Sequence, residues 1–512
     1  MRFQLSHGSL VSLGFGWRRW SAIAATSLLA TGATALVIPN LFPFPDPTGI
    51  ASTYNANGAI NENTSFFQIL GTNGRSCGTC HVVGNAMGLS TQNVQARFLL
   101  TRGQDPLFAA VDGANCPDTS SNDPATHSLL LKNGLIRIPI TLPAATQFAI
   151  KAVVDPYGCA ITTDPVSKLQ TVSVYRRPLP TANLRFLSTI MFDGRETIAP
   201  LNDPATFDAN LVADLMHQSV DATTGHAQAT VPPTVQQQTD IVNFELGLYS
   251  AQFMDNRSGM LNHRNALGGA MNLSAMNYYP GINDTLGADP TGAKFNPAGM
   301  TLFSAWENLT AEDESKRELV EARMDIAAGE TIFNSRPLTV TNVRGLNDNP
   351  ALAAELGVSL PIASFSGTCT TCHDTPNVGD HSLPLPLDIG TGHDAARETN
   401  TNIANALAQL TFPGVPVYEI TGCPNPFAPA GETTAPYVIY TTDPGKGLVT
   451  GQCADVNRVK GPILRGLAAR APYFHNGAAK DLNELVNFYI ERFQMELTGK
   501  EKGQLIAFLN SL

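Results

Sequence analysis

The feature that most constrains this chain is a five-residue pattern, C-x-x-C-H, that occurs twice. It reads Cys77-Gly-Thr-Cys80-His81 in the first copy and Cys369-Thr-Thr-Cys372-His373 in the second. This pattern attaches a c-type haem: two thioether bonds hold the edge of the porphyrin, and the histidine becomes the proximal iron ligand. A redox C-x-x-C pair and half of a zinc site are the alternatives, but zinc needs a second C-x-x-C close to each motif, and the sequence has none there. We therefore predict two covalently bound haems.

The other four cysteines bracket two loop-rich stretches. The simplest pairing gives two local disulfides, Cys116–Cys159 and Cys423–Cys453, whereas crossed pairings would link distant insertions. Disulfides persist in oxidising compartments. This agrees with the haem motifs, because c-type haem is attached outside the cytoplasm.

The first 35 residues have the form of a secretory signal peptide. They contain three arginines and no acidic residue, an apolar stretch runs from Trp20 to Ile38, and Ala33-Thr34-Ala35 has the small-x-small form that signal peptidase reads. The alternative is an uncleaved membrane anchor, since the stretch is about long enough to span a bilayer, although its Ser, Thr and Ala content makes it a weak span. In either case we expect the folded part to be periplasmic or otherwise exported.

The charge of the chain limits its partners. Over 512 residues, 32 basic and 43 acidic side chains give a net charge of −11. A nucleic-acid-binding protein needs a basic face, so this class is not expected. An acidic chain favours basic or neutral partners.

Helical patterns recur along the chain and no strong alternating strand pattern dominates. We predict helices after the capping box Thr234-x-x-Gln237, over 311–333, over the apolar spacing of 482–490, and after Thr498-x-x-Glu501. Stretches rich in Gly, Pro, Asn and Asp, at 103–170, 255–300 and 374–455, are interpreted as long ordered loops. The result is a haem domain over 36–310 with long insertions, followed by a C-terminal cytochrome c-like haem domain over 311–512.

Short motifs outside the haem-attachment sites give the chain a family resemblance. They are Arg176-Arg-Pro-Leu-Pro-Thr-Ala-Asn183, Phe192-Asp-Gly-Arg195, Lys460-Gly-Pro and Ala471-Pro-Tyr-Phe-His475-Asn-Gly477. With two haem motifs, they resemble the bacterial dihaem cytochrome c peroxidase superfamily, which includes the methylamine dehydrogenase maturase and has dihaem rubber oxygenases as relatives. The resemblance implies an all-α fold with two cytochrome c-like domains, one haem that transfers electrons and one that reacts with peroxide. His81 and His373 match the proximal ligands.

Three positions depart from the peroxidase pattern. The segment before Arg177 lacks the histidine that ligates the N-terminal haem in peroxidases, so this haem is expected to be open. The family tryptophan between the haems falls on Phe192, which holds a radical far less readily. The asparagine that helps to bind an inter-domain calcium ion aligns with Arg177, which weakens the expectation of calcium.

The resemblance also indicates the residues on the distal side of each haem. His226 or Gln228 matches the region of the catalytic distal acid, and a histidine can move a proton between the oxygens of peroxide near neutral pH; a polar loop residue is the alternative for His226. For the C-terminal haem, Tyr489 falls where peroxidases have a methionine ligand and the maturase a tyrosine. His475 and Met495 are the rival ligands, and Tyr489 could also be a core residue only.

Three functions remain open at this point. The leading prediction is reduction of hydrogen peroxide with electrons from a small donor protein, a cytochrome c or a cupredoxin. A dihaem oxidase or oxygenase acting on a protein or organic substrate is the second, favoured by the missing distal histidine and by Phe192. A non-catalytic electron-transfer cytochrome is the third, and two six-coordinate irons would indicate it.

Overall fold

The computed structural model describes residues 36–512 apart from 118, 120, 121, 313 and 429–436. The predicted signal peptide, residues 1–35, lies outside the described residues. The α-helices in the described part are α1 Thr91–Thr101, α2 Ser128–Asn133, α3 Phe207–Gly225, α4 Val235–Leu246, α5 Ala270–Ser274, α6 Arg317–Ser335, α7 Pro350–Leu356, α8 Thr401–Leu407, α9 Gly447–Thr450, α10 Leu482–Phe493 and α11 Gly499–Asn510.

The expected all-α fold is wrong, because strands form five small antiparallel sheets. The sheets have the strand orders β1-β4, β10-β9-β3-β2, β11-β12, β14-β13-β6 and β5-β8-β7. The strands are β1 Val37–Ile38, β2 Phe44–Pro45, β3 Gly49–Asn55, β4 Ile60–Asn61, β5 Ile136–Thr141, β6 Ala149–Val154, β7 Ile161–Thr163, β8 Gln170–Arg176, β9 Leu248–Asp255, β10 Gly259–Met260, β11 Leu338–Val340, β12 Phe365–Gly367, β13 Val417–Thr421 and β14 Ile439–Thr441.

Two of the stretches interpreted as loops, 103–170 and 374–455, contribute strands to one shared body. In β5 the sequence Ile-Arg-Ile-Pro-Ile-Thr alternates, and Ile136, Ile138 and Ile140 are all buried. Strand β6 of the first stretch pairs with β13 of the second. The apolar sides of both stretches form one cluster that includes Val172, Tyr418 and Ile420. The strands were missed because their apolar faces are completed by residues distant in sequence.

The two predicted disulfides are confirmed. Cys116 is bonded to Cys159, and Cys423 is bonded to Cys453. Cys423 and Cys453 belong to the apolar cluster shared by the two insertions. The second disulfide therefore reinforces the body that the strand pairing builds.

The helices predicted from capping and apolar spacing are confirmed. Thr234 and Gln237 form a reciprocal capping box at α4, and Thr498 and Glu501 form one at α11. Helices α6 and α11 cross closely at Gly329, where an added Cβ would lie 2.1 Å from the carbonyl oxygen of Gln504. These helices build the largest apolar cluster, which also contains residues from 261 to 306. The core thus crosses residue 310, and the domain boundary there stays a prediction.

Helices long and apolar enough to cross a membrane are absent from the described residues.

Candidate functional site

The two C-x-x-C-H motifs line two separate cavities. The N-terminal cavity contains Cys77, Cys80 and His81 in its wall and holds roughly 1530 Å³ of space, part of it open to solvent. The C-terminal cavity contains Cys369, Cys372 and His373 and holds roughly 1720 Å³, also partly open. Each cavity therefore has one complete attachment motif.

The same local turn presents both motifs. Each pair of cysteines begins on a single 3-10 turn, at Cys77–Thr79 and at Cys369–Thr371. The backbone amide of Ser76 donates to the Thr79 hydroxyl at 3.0 Å, and that of Thr368 donates to the Thr371 hydroxyl at 2.9 Å. Because the threonine before the second cysteine closes the turn, both thiols and the following imidazole face the same cavity.

The residues of both motifs fit a covalently attached haem. All four thiols are free of disulfides, and burial raises the pKa of Cys369 and of Cys372 to about 12. Burial lowers the pKa of His81 and of His373 to about 4, so both imidazoles are neutral, the form that ligates a metal. Nδ1 of His373 donates to the carbonyl oxygen of Gly379 at 2.7 Å, which leaves Nε2 for an iron ion.

A thin wall separates the cavities. The segment 177–180, Phe192 and Lys460 line both. Phe192 thus lies between the two motifs, and its ring centre is 6.0 Å from that of His475. Trp306, the only tryptophan after residue 35, is buried in the core of α6 and α11 and lines neither cavity.

Arg176 holds this wall in place. Its guanidinium binds Asp193, which follows Phe192, at 2.5 Å and Asp443 at 2.6 Å. Burial alone would raise the pKa of Asp193, but the charges of Arg176 and Arg195 lower it to about 2. Asp193 of the Asp-Gly-Arg motif therefore anchors the wall, whereas Arg195 of the same motif lines the N-terminal cavity.

Arg177, which the resemblance aligns with a calcium-binding asparagine of the peroxidases, forms a dense set of hydrogen bonds. It is buried, and it donates to the carbonyl oxygens of Asn133 at 3.3 Å, Gly134 at 3.1 Å and Arg470 at 3.0 Å, and to that of Leu89. Burial, followed by the charge of Arg470, lowers its pKa to about 9. The guanidinium already supplies a positive charge to these carbonyl groups.

A proton-handling group faces the N-terminal cavity. His226, which directly follows α3, lines this cavity with its side chain 40% exposed. Its Nδ1 lies 2.5 Å from Asp112, which also pairs with the buried Arg75. Burial alone would raise the pKa of Asp112, yet the hydrogen bond with His226 and the charge of Arg75 hold it below its usual range. Asp112 thus orients the imidazole and leaves Nε2 available.

The structure separates His226 from the other distal candidate. Gln228 is exposed, has a left-handed backbone with φ of 54°, and does not line the N-terminal cavity. Its side chain instead lies 3.3 Å from the side-chain amide of Asn73. Of the two residues, His226 alone is placed to act on a ligand in this cavity.

Glu245 is a cavity residue that the sequence analysis missed. It lies near the end of α4, is 4% exposed and lines the N-terminal cavity. Its Oε2 has no hydrogen-bond partner, and burial raises its pKa to about 8. The sequence does contain one indication that Glu245 is buried: it lies within an apolar run, where a glutamate is unexpected. The run consists of Ile241, Val242, Phe244 and Leu246.

The C-terminal cavity contains all three rival ligands. Tyr489, His475 and Met495 line it. Burial, with the nearby thiols of Cys372 and Cys369, raises the pKa of Tyr489 above its usual range. Nε2 of the buried His475 has no hydrogen-bond partner and lies 3.5 Å from Asp443. The geometry brings the three candidates together, and the choice among them stays a prediction.

Part of the chain is similar in sequence to curated cytochrome-c peroxidases. It is 29% identical over 172 residues to cytochrome-c peroxidase IdrP2 of Denitromonas iodatirespirans, which covers 32% of this chain and 41% of the relative. It is 28% identical over 164 residues to IdrP1 of Pseudomonas sp. strain SCT, covering 30% and 38%, and 24% identical over 206 residues to IdrP2 of that strain, covering 37% and 50%. The matches thus span half or less of each relative. No family model and no solved structure matches the chain.

Proposed function

We propose that this protein is an exported dihaem c-type peroxidase that reduces hydrogen peroxide with electrons from a small donor protein. The observation that carries the proposal is the pair of separate cavities, each with one complete C-x-x-C-H motif and a neutral histidine. The partial similarity to proteins named cytochrome-c peroxidase supports the same reaction class. The two disulfides support an oxidising compartment.

The chain's own residues would divide the work between the cavities. Cys77 and Cys80 would bind one haem, Cys369 and Cys372 the other, and His81 and His373 would be the proximal ligands. When bound, haem iron supplies redox chemistry: peroxide coordination on one side of the wall and electron relay on the other. Each turnover takes two electrons and two protons, breaks the O–O bond of one hydrogen peroxide molecule and forms two water molecules.

His226 would manage the protons of this reaction. Its Nε2 would accept a proton from one oxygen of hydrogen peroxide and return it to the leaving oxygen. Asp112 would fix the orientation of the ring through its contact with Nδ1. The donor would be a basic or neutral cytochrome c or cupredoxin, because the chain carries a net charge of −11.

Two matched double variants test the proposal, each removing one attachment motif. We expect Cys77→Ala/Cys80→Ala to lose one haem together with the high-spin signal and the reaction with peroxide. We expect Cys369→Ala/Cys372→Ala to retain a high-spin haem that binds cyanide but to lose turnover with the donor. Haem stoichiometry, electron paramagnetic resonance and stopped-flow mixing with peroxide provide the readouts. Two low-spin haems that do not react with peroxide would instead indicate an electron-transfer cytochrome.

Oxidation of a protein or organic substrate is the second candidate function. Phe192 favours it, because it occupies the wall between the cavities where peroxidases carry tryptophan. A phenylalanine makes hopping of an electron hole between the two haems harder. Rapid reaction with peroxide, combined with slow reduction by cytochrome c and by cupredoxin, would support this candidate over the peroxidase.

A further inference from the structure

A second group of ligand-type side chains lies next to the C-terminal motif. Asp284, Asp374 and His381 each offer one donor atom, and the three atoms lie within 4.8 Å of one another. His381 Nε2 is 3.2 Å from Asp374 Oδ2 and 4.0 Å from Asp284 Oδ1. The exposed fractions of the three residues are 0%, 0% and 4%. All three side chains are thus buried, and His381 also lines the C-terminal cavity.

The cluster has a charge imbalance. Within the described residues, neither carboxylate forms an ion pair with a lysine or an arginine; His381 is the only basic side chain within 4.0 Å of either one. Two carboxylates buried together with one imidazole are costly unless a cation or protons compensate them. The fold nevertheless brings them together from two separate segments.

The hydrogen bonds around the cluster hold its donor atoms and leave some of them unsatisfied. Asp284 Oδ2, which faces away from the cluster, accepts hydrogen bonds from the amides of Leu286 at 3.0 Å and Ala288 at 2.8 Å. Asp374 Oδ1 accepts one from the amide of Ser382 at 2.7 Å. Asp284 Oδ1 and His381 Nε2, which face the centre, have no hydrogen-bond partner. These are buried polar atoms aimed at a common point.

The orientation of His381 suits a metal ligand. Its Nδ1 lies 3.1 Å from the carbonyl oxygen of Leu383 and 3.3 Å from the amide of the same residue. The shorter contact favours donation from Nδ1 to the carbonyl, which leaves a lone pair on Nε2. A lone pair pointing at two carboxylates is repulsive unless a cation lies between them. Metal-ligating histidines in proteins usually make this kind of carbonyl contact.

We infer that Asp284, Asp374 and His381 bind a divalent cation of the zinc class, separate from both haem irons. One imidazole with two carboxylates is a zinc-type donor set, whereas calcium takes six to eight oxygen ligands. Ligands about 2.1 Å from a tetrahedral zinc ion lie about 3.4 Å apart, and the observed separations of 3.2 and 4.0 Å bracket this value. The ion would clamp the loop at 281–289 onto Asp374, directly after the proximal His373.

Metal analysis of the full-length haem-loaded protein, purified without chelator, tests this inference. We expect about one equivalent of zinc per chain in addition to haem iron. In Asp284→Asn the zinc should fall at least about tenfold, with both haems retained. The matched control is Asp289→Asn, because Asp289 is a buried carboxylate of the same loop that contacts Asn283 and Thr291 and lies outside the cluster; its zinc content should not change.

Three results would overturn the inference. The first is wild-type protein that contains no metal beyond haem iron after growth with added zinc. The second is one equivalent of calcium in place of zinc, and the third is a full zinc content in Asp284→Asn. The wild-type measurement decides the question even if the variant fails to fold. Haem stoichiometry and peroxide turnover are measured separately, so that failure of the proposed function does not affect this result.

Discussion

The N-terminal and C-terminal cavities share one attachment turn but differ in what surrounds it. The N-terminal cavity is lined by proton-handling groups, with His226 held by Asp112 and with Glu245 buried nearby. The described lining of the C-terminal cavity contains no carboxylate and is formed mostly by aliphatic and aromatic side chains. Its polar members include Tyr489, His475, His381 and Lys460. A reaction that consumes protons requires the first environment, whereas an electron relay requires axial ligands and a dry surround. Under the proposed function, the motif would determine where each haem binds, and the lining of the cavity would determine whether that haem reacts with peroxide or relays electrons.

The largest expected effect comes from His226. We expect His226→Ala to lower kcat/KM for hydrogen peroxide by about 10²- to 10⁴-fold, because the proton can no longer move between the peroxide oxygens. The assay is steady-state turnover with a reduced cytochrome c. Gln228→Ala is the matched control, two residues away and outside the cavity, and its turnover should stay close to wild type. Equal losses of kcat/KM in His226→Ala and Gln228→Ala would contradict the conclusion that only His226 acts on peroxide.

Glu245 should make stability depend on pH. Burial raises the pKa of Glu245 to about 8 in the folded state, against about 4.5 for an exposed glutamate, so the folded protein holds an extra proton between these pH values. The contribution of Glu245 to the free energy of unfolding should therefore be greatest below about pH 4.5. It should decrease as the pH rises towards about 8, by a total of roughly 3–5 kcal/mol.

Denaturant unfolding of wild type and of the variant Glu245→Gln between pH 5 and pH 9 measures how much Glu245 contributes to the pH dependence of the free energy of unfolding. The fall attributable to Glu245 should disappear, because glutamine does not titrate. Glu318→Gln, on the exposed face of α6, is the control and should follow the wild-type curve. A Glu245→Gln profile parallel to wild type would show that this carboxyl is ionised in the folded protein at neutral pH.

A smaller effect tests the ligand of the C-terminal haem. We expect Tyr489→Phe to change the low-spin spectrum and to raise the potential of this haem by on the order of 0.1 V, because a phenolate stabilises ferric iron. Redox titration followed by visible spectroscopy gives both quantities. His475→Ala is the companion variant, and it should leave the low-spin signal in place. If His475→Ala produces high-spin iron while Tyr489→Phe changes nothing, His475 is the ligand.

The sequence predicted features whose signals are local. The attachment motifs, the capping boxes at Thr234 and Thr498, and both disulfides depend on short spacing or on pairs within one stretch, and the place of His226 beside the first motif followed from the resemblance. The sheets could not be predicted in this way, because β6 and β13 stabilise one another although they are far apart in the sequence, at 149–154 and 417–421. Glu245 and the cluster of Asp284, Asp374 and His381 were missed for a related reason: burial and unsatisfied donor atoms exist only after distant segments have packed.

The pairing of β6 with β13 has a consequence for how the chain reaches its fold. Non-local strand pairing is slow, because a long loop must close before any contact compensates for it. The body shared by the two insertions cannot be completed until residues 417–421 are available to pair with β6. Until then, β6 presents an unpaired edge to other chains. A fragment ending near residue 310 would keep that edge permanently and should aggregate, so the two halves of the chain depend on each other for solubility while they fold.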